Sequence, residues 1–245
     1  MRKITIAVDG HSSTGKSTIA KRLATALGYI YVDTGAMYRA ITLLTLEQGL
    51  MDENGAIDLA ALTGLLPTAK LEFVPNPETG LSEMYLNGEN VEKQIRTMRV
   101  SNQVSRVSAI GEVREMLVAM QQAMDRGQGL VMDGRDIGTV VFPKAELKLF
   151  MTASPETRAA RRYKELLDRG EEVGYTEVLK NVQERDRIDS TRAISPLRRA
   201  KDAIAFDNSD MGLEEQFERI HDFAKRVIQK VNMDSGEKRG TALKE

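Results

Sequence analysis

The segment DGHSSTGKST, residues 9–18, constrains the fold of this chain more than any other part of its sequence. It follows the apolar run at residues 4–8 and leads into a helical pattern that extends to residue 27. Gly10 and Gly15 permit backbone angles that a side chain would forbid, and the free amides of a helix N-terminus attract anions. A strand, a glycine-rich turn and a helix in this order predict a phosphate-binding loop.

Two side chains of this loop suit a nucleoside triphosphate. Lys16 is placed to reach the β- and γ-phosphates, and the Ser17 hydroxyl is placed to ligate Mg²⁺. Such a loop occurs in kinases, GTPases, ATPase motors and regulatory ATPases, so it leaves all four classes open.

Composition narrows the classes of protein that are possible. Among 245 residues, 35 are Lys or Arg and 36 are Asp or Glu, which gives a net charge of −1 and argues against broad binding to nucleic acid. There is no cysteine and there are only two histidines, so a disulfide framework and a His- or Cys-based metal centre are excluded. No leader-like segment precedes the first strand and no apolar run approaches membrane-spanning length, so we expect a cytoplasmic protein.

The order of elements predicts an α/β fold, a parallel sheet flanked by helices. Short apolar strands are predicted at 4–8, 29–32, 129–132, 147–152 and 203–207, and helices at 16–27, 35–48, 98–108, 112–126, 155–169, 176–187 and 213–231. Between 67 and 97, short strands alternate with Pro, Asn and Gly turns, which favours a small antiparallel insert. We expect one domain over residues 1–232 and a disordered tail at 233–245, where apolar residues are few.

Two charged clusters follow predicted strands. Asp33 and Arg39 belong to DTGAMYR after the second strand, at the sheet edge where open α/β sheets bind ligands. Asp133, Arg135 and Asp136 end the strand LVMDGRD, in which Asp133 resembles a carboxylate that organises Mg²⁺ through its water shell. Asp33 also suits the N-cap of a helix, and an Asp-Gly pair also suits a plain turn.

Arginines are concentrated in the C-terminal half. Arg158, Arg161 and Arg162 share one helical face, and Arg185, Asp189 and Arg192 share another. One such row is typical of a solvated surface. Two rows in a protein of neutral overall charge, beside a phosphate loop, predict a second phosphorylated ligand, because guanidinium groups bind phosphoryl oxygens in pairs.

With these residues taken together, the chain resembles the bacterial cytidylate kinases, members of the nucleoside monophosphate kinase family. The resemblance extends to about residue 231, and its carriers are DGHSSTGKST (9–18), DTGAMYRA (33–40), IRTMRVSNQVS (95–105), MDGRDIGTVVFP (132–143) and ERDRIDSTRAISPL (184–197). The insert at 67–97 matches a segment that distinguishes the bacterial enzymes from shorter eukaryotic ones. Two departures lie in the loop: His11 replaces a frequent proline, and Ser13-Thr14 replace a small Gly/Ala pair.

The resemblance implies a P-loop kinase core with a mobile lid, at about residues 157–190, and a role for each matching residue. The ATP site would comprise Gly10, His11, Ser12, Ser13, Thr14, Gly15, Lys16, Ser17, Thr18 and Arg158, with Ser17 and, through water, Asp133 on Mg²⁺. The CMP site would comprise Thr34, Arg39, Ser105, Arg114, Asp136, Arg185, Asp189 and Arg192. Lys16, Arg135, Arg161, Arg162 and Arg192 would be catalytic.

Within the CMP site, the implied roles are more specific. Ser105, Arg114 and Asp136 would contact cytosine, Arg185 and Asp189 the ribose, and Arg39, Arg135 and Arg192 the acceptor phosphate. Ser105 and Arg114 are nine residues apart, on opposite faces of a straight helix, so they can converge only if the helix breaks. The break is expected at Ala109-Ile110-Gly111.

The expected activity is ATP–Mg²⁺-dependent phosphorylation of CMP and dCMP by a monomer, with nucleotides as partners and with neither nucleic acid nor membrane. One alternative is a related kinase that acts on UMP, AMP or shikimate. Another, from a different class, is a nucleotide-dependent binding or regulatory ATPase. It predicts no phosphorylated acceptor, and the excess of arginines counts against it.

Overall fold

The computed structural model describes residues 2–78 and 80–241, the last seven of these as helix backbone only. The strands are β1 (Thr5–Gly10), β2 (Ile30–Asp33), β3 (Leu71–Pro75), β4 (Ser82–Leu86), β5 (Glu89–Asn90), β6 (Leu130–Gly134), β7 (Leu147–Thr152) and β8 (Ile204–Asp207). The α-helices are α1 (Lys16–Leu27), α2 (Thr34–Glu47), α3 (Leu59–Leu65), α4 (Met98–Val107), α5 (Gly111–Gln122), α6 (Pro155–Asp168), α7 (Tyr175–Thr191) and α8 (Leu213–Thr241).

The main sheet has the strand order β2-β6-β1-β7-β8, and every neighbouring pair in it is parallel. β1 is the central strand, with Ile6, Ala7 and Val8 fully buried, as expected for a parallel strand with helices on both faces. Helices α1 and α8 cover one face around Ile19, Leu23 and Ile220. The predicted parallel-sheet core is therefore confirmed.

The predicted antiparallel insert is present as the small sheet β3-β4-β5. Asn87 and Gly88, both with positive φ (53° and 86°), form the two-residue turn between β4 and β5, a turn that requires this backbone geometry at both positions. Helix α3 was not predicted. Its start is set by Asp58, whose carboxylate accepts a hydrogen bond from the Ala61 N–H at 3.0 Å.

The expected lid region is formed by α6 and α7. Ser154 caps α6 by accepting from the Thr157 N–H at 3.1 Å, and Pro155 occupies the first helical position. Helix α7 extends four residues beyond its predicted end, which brings Asp189 onto the helix with Arg185. That this region moves as a lid stays a prediction.

The structure describes part of the segment expected to be a disordered tail at 233–245, and that expectation stays a prediction. Helix α8 continues to Thr241, because extending an existing helix adds one hydrogen bond per residue without a new nucleation cost. Residues 242–245 lie outside the described residues. Within the described ranges, no helix has the combined length and apolar character that a membrane span requires.

Candidate active site

A cleft of about 1110 Å³, open mouth included, lies at the carboxyl edge of the main sheet. It forms there because β1, β2 and β6 end at the same level, with Asp33 paired in register to Asp133 and Asp9 to Gly134. The predicted site residues that line it are Ser12, Ser13, Gly15, Lys16, Ser17, Thr18, Thr34, Arg39, Ser105, Arg114, Asp133, Arg135, Asp136, Arg162, Arg185, Asp189 and Arg192. Residues distant in sequence therefore share one cleft.

The phosphate loop has the backbone that its glycines were predicted to allow. A Cβ on Gly10 would lie 2.3 Å from the Met151 carbonyl oxygen, so this position must be glycine. Gly15 adopts φ 83° and α1 begins at the next residue, which turns the free amides of its first turn toward the cleft. Lys16 is 6% exposed and its Nζ donates to the His11 carbonyl at 3.1 Å.

The charge of Lys16 responds to its surroundings. Burial, with the nearby Arg135 guanidinium, lowers the pKa of Lys16 to about 7, although Asp133 and Asp33 oppose this shift. An anion bound beside Nζ would stabilise the ammonium form.

Three oxygen-bearing side chains meet next to this lysine. Ser17 Oγ donates to Asp133 Oδ2 at 2.8 Å, and the Tyr31 hydroxyl donates to Asp133 Oδ1 at 2.8 Å. Burial and then the Asp33 carboxylate raise the pKa of Asp133 to about 6. The two residues predicted on Mg²⁺, Ser17 and Asp133, are thus in direct contact, and Tyr31, which the sequence did not indicate, orients the carboxylate.

The predicted base-recognition residues Ser105, Arg114 and Asp136 line the same cleft. Helix α4 ends at Val107 and α5 begins at Gly111, with Ile110 in an extended conformation. The helix therefore breaks at the position that was expected if Ser105 and Arg114 are to converge. Arg114 forms a buried ion pair with Asp136 and donates to the Ser108 carbonyl at 3.0 Å. Among the described residues, Arg114 Nε has no hydrogen-bond partner. The Arg114–Asp136 pair therefore combines a carboxylate with a buried N–H donor that no described residue uses.

The same cleft contains a cluster of arginines held by Asp189. Arg135 Nε donates to Asp189 Oδ2 at 2.9 Å, and Arg192 Nη1 lies 4.0 Å from Asp189 Oδ1. Burial, and then Arg135, lower the pKa of Arg185 to about 10. Burial and the neighbouring Arg185, Arg96 and Arg162 hold the pKa of Arg39 well below its ordinary value. A cluster whose members repel one another in this way suits a polyanionic ligand.

The row Arg158, Arg161 and Arg162 separates into three environments. Arg162 lines the main cleft and also a second cleft beside the phosphate loop, and it donates to the Ser101 hydroxyl at 3.1 Å and the Arg96 carbonyl at 3.0 Å. Arg161 lines only this second cleft, where it donates to Asn208. Arg158 lines neither. It donates to the Ser12 carbonyl at 3.3 Å and binds both carboxylate oxygens of Asp186.

The predicted residues Gly10, His11 and Thr14 form the loop without lining either cleft. His11 Nδ1 lies 3.2 Å from Asp186 Oδ1, so the residue that replaces the frequent proline contacts α7.

Several contributing residues were missed by sequence analysis. Arg96 donates to Asp33 at 2.9 Å and lines the cleft, and Glu165 lines both clefts. Asn208, fully buried, donates to the Thr14 carbonyl at 2.7 Å. Arg96 lies within the segment at 95–105 that carries the resemblance, so a signal was present for it. Asn208 had none.

A phosphate loop and an arginine cluster that share one cleft at the edge of a parallel sheet define a P-loop kinase. The chain matches the family model described as cytidylate kinase over residues 6–226, and it belongs to that family.

Curated relatives agree with this assignment. Three proteins named "Cytidylate kinase" each align with 93% of this chain. The protein from Flavobacterium psychrophilum is 58% identical and is covered over 100% of its length. Those from Bacteroides thetaiotaomicron and Flavobacterium johnsoniae are 54% and 56% identical, and each is covered over 99% of its length. A gluconokinase structure from Sinorhizobium meliloti 1021 aligns over 96% of this chain and 99% of that one, with a TM-score of 0.45 and 13% identity, which is too slight a likeness to add to this.

Proposed function

We propose that this protein transfers the γ-phosphoryl group of ATP to CMP and dCMP, which gives CDP and dCDP. The observation that carries the choice of base is the buried wall formed by Asp136 and Arg114. Cytosine presents an amino donor at N4 and acceptors at N3 and O2. A carboxylate suits the first of these, and a guanidinium suits the other two.

The free hydrogen-bonding capacity of this wall supports the assignment. Asp136 Oδ1 lies 4.0 Å from Arg192 Nη2, beyond hydrogen-bonding distance, and Arg114 Nε has no partner within the described part of the chain. Ser105, 3% exposed in the same cleft, can donate or accept. Uracil reverses the donor and acceptor pattern at positions 3 and 4, so it would place a carbonyl against Asp136.

The remaining residues of the site are assigned to different parts of the two nucleotides. Arg39, Arg135 and Arg192 are assigned to the acceptor phosphate, Arg185 and Asp189 to the ribose, and Thr34 to the acceptor nucleotide. The buried Nε of Arg185 lacks a partner among the described residues, which fits a ligand at this position. The phosphate loop is assigned to the triphosphate of ATP, and the second cleft, with Arg161 and Gln216, to its nucleoside.

Phosphoryl transfer requires the protein mainly to position the two nucleotides and to stabilise charge, because the attacking group is already a phosphate oxygen. Lys16, Arg135, Arg162 and Arg192 face one cleft, where their positive charge offsets the negative charge of the transferring group. Closure of α6 and α7 over ATP would exclude water and so limit hydrolysis.

The contact between Ser17 and Asp133 fits Mg²⁺, a cation that binds oxygen ligands and keeps several of its waters. The described residues contain no group of three or more His, Cys, Asp or Glu side chains able to hold a metal, so the ion would rely on these two residues and on the phosphates of ATP. When bound, it would offset the negative charge of those phosphates. We also propose a cytoplasmic monomer that does not bind nucleic acid.

A panel of nucleoside monophosphates tests the activity. Purified protein is incubated with ATP–Mg²⁺ and CMP, dCMP, UMP, AMP or GMP, and the nucleotide products are separated and quantified. We expect CDP and dCDP as the main products. A different preferred acceptor would reassign the substrate, and ATP hydrolysis without any phosphorylated acceptor would indicate the alternative class, a regulatory ATPase.

A further inference from the structure

Asp9 is a buried carboxylate at the end of β1, immediately before the first glycine of the phosphate loop. It is 4% exposed, and it forms no ion pair with any residue that the structure describes. Acidic side chains are almost never buried to this degree unless they are paired, because removing the charge from water is costly. The retention of a carboxylate here therefore requires a specific role.

Its two oxygens bind consecutive backbone amides of a different segment. Asp9 Oδ1 accepts from the Ile137 N–H at 2.8 Å, and Oδ2 accepts from the Gly138 N–H at 2.8 Å. These amides begin the π-helical turn Ile137–Val141, whose own hydrogen bonds start from the carbonyl of Asp136. The first amides of a helical turn have no partner within it, so Asp9 caps this turn from the central strand.

The capped turn begins at the residue assigned to cytosine. Asp136 has φ −143° and ψ 24°, outside the regular α and β regions, and its carbonyl accepts from the Val140 N–H at 2.8 Å. π-Helical turns are rare in proteins, and those that occur are often found at functional sites. Since the backbone on the C-terminal side of Asp136 is fixed by Asp9, the direction of the Asp136 side chain depends on that contact.

Gly138 shows how closely the two segments fit. A Cβ on Gly138 would lie 3.3 Å from Asp9 Oδ2 and 3.1 Å from Lys148 Cδ, so a side chain here would press on the carboxylate. Burial raises the pKa of Asp9 to about 6, while the two amide hydrogen bonds oppose this shift. Asp9 is therefore largely ionised at neutral pH and above.

We propose that Asp9 is a positioning residue for base selection: by holding the Ile137 and Gly138 amides, it aims the Asp136 carboxylate at the amino group of cytosine. This inference rests on the proposed function. It connects the strand that carries the phosphate loop to the residue that distinguishes CMP from UMP. Asp9 itself lines neither cleft.

The test is Asp9→Asn, which keeps the shape of the side chain. The amide oxygen can still accept from one N–H, but its NH₂ group faces the other, so one hydrogen bond is lost and two donors oppose each other. We expect kcat/KM for CMP to fall about tenfold and the CMP:UMP ratio of kcat/KM to fall by about the same factor. The KM for ATP should change less than about twofold.

Val8→Ala provides the matched control. Val8 neighbours Asp9 on β1 and is fully buried in the cluster with Ile19 and Leu149, away from the turn. This variant should lower the midpoint of thermal unfolding while leaving the CMP:UMP ratio at the wild-type value, because a loss of packing alone does not change base selection.

A double-mutant cycle separates a positioning role from a general one. In an Asp136→Asn background, Asp9→Asn should cause no further loss of the CMP:UMP ratio, because the group that it aims is already neutral. An unchanged ratio in the single variant, or a raised KM for ATP with an unchanged ratio, would overturn the inference in favour of a role in the phosphate loop.

Two further measurements keep the outcomes distinct. If Asp9→Asn does not fold, Gly138→Ala perturbs the same contact from the other side and should lower the ratio in the same direction; a folded Gly138→Ala with the wild-type ratio would overturn the inference. The wild-type protein is measured first, since a lack of preference for CMP there would refute the proposed function itself.

Discussion

The guanidinium of Arg114 and the carboxylate of Asp136 form an ion pair in which only 3% and 4% of the two side chains is exposed. Burying both charges carries a desolvation cost that their mutual attraction alone does not clearly offset. The pair faces a cleft that also contains Lys16 and the arginines around Asp189. We therefore expect the pair to take part in recognising a polar base in that cleft.

The first prediction concerns Lys16. Lys16→Met keeps most of the alkyl chain and removes the ammonium group, so the transferring phosphoryl loses its nearest cation from the phosphate loop. We expect kcat to fall by about 100-fold or more, with thermal unfolding close to that of the wild type. Turnover near the wild-type level in this variant would show that the loop does not hold the triphosphate.

A second prediction follows from the pKa of Lys16. Because that pKa is lowered to about 7, the amine is mostly neutral at pH 8, and phosphates bound beside it raise the pKa and favour the ammonium form. ATP binding at pH 8 should therefore take up about one proton, and binding at pH 6, where Lys16 is already charged, should take up much less. Calorimetry in buffers of different ionisation enthalpy measures this number.

Lys16→Arg is the control for proton uptake, because a guanidinium remains protonated at both pH values. It should still attract ATP but should take up fewer protons at pH 8 than the wild type does. Equal uptake by the two proteins would mean that another group titrates on binding.

A third prediction separates two arginines that the sequence placed in one row. Arg162 lines both the main cleft and the second cleft, so Arg162→Ala should lower kcat more than it raises the KM for CMP. Arg161 lines only the second cleft and bonds to Asn208, so Arg161→Ala should mainly raise the KM for ATP. Steady-state kinetics with each substrate varied in turn gives both values. A pure increase in the KM for CMP in Arg162→Ala would assign it to the acceptor site instead.

The sequence predicted those parts of the molecule that depend on local pattern. The apolar runs located the strands, the glycines of residues 9–18 located the phosphate loop, and α1 has the predicted bounds at 16–27. The break between α4 and α5 followed from requiring Ser105 and Arg114 to converge. Each of these features is determined by residues close together in the sequence or, for the helix break, by the requirement that two side chains converge.

The features that were missed depend on contacts between distant parts of the chain. Asp9 binds amides 128 and 129 residues away, and Tyr31 contacts Asp133 across 102 residues. No periodicity or capping pattern reports such a contact.

The most direct test of the account is the CMP:UMP ratio of kcat/KM in Asp136→Ala. In the wild type, UMP loses a hydrogen bond and meets a carbonyl–carboxylate repulsion, so CMP should be preferred by about tenfold to a hundredfold, from about 1–3 kcal/mol for an unsatisfied buried group. Removing the carboxylate should lower activity on CMP steeply and activity on UMP much less, so that the ratio collapses toward one. Equal losses on both substrates, with the wild-type ratio retained, would contradict base recognition by Asp136 and reduce the residue to a structural partner of Arg114.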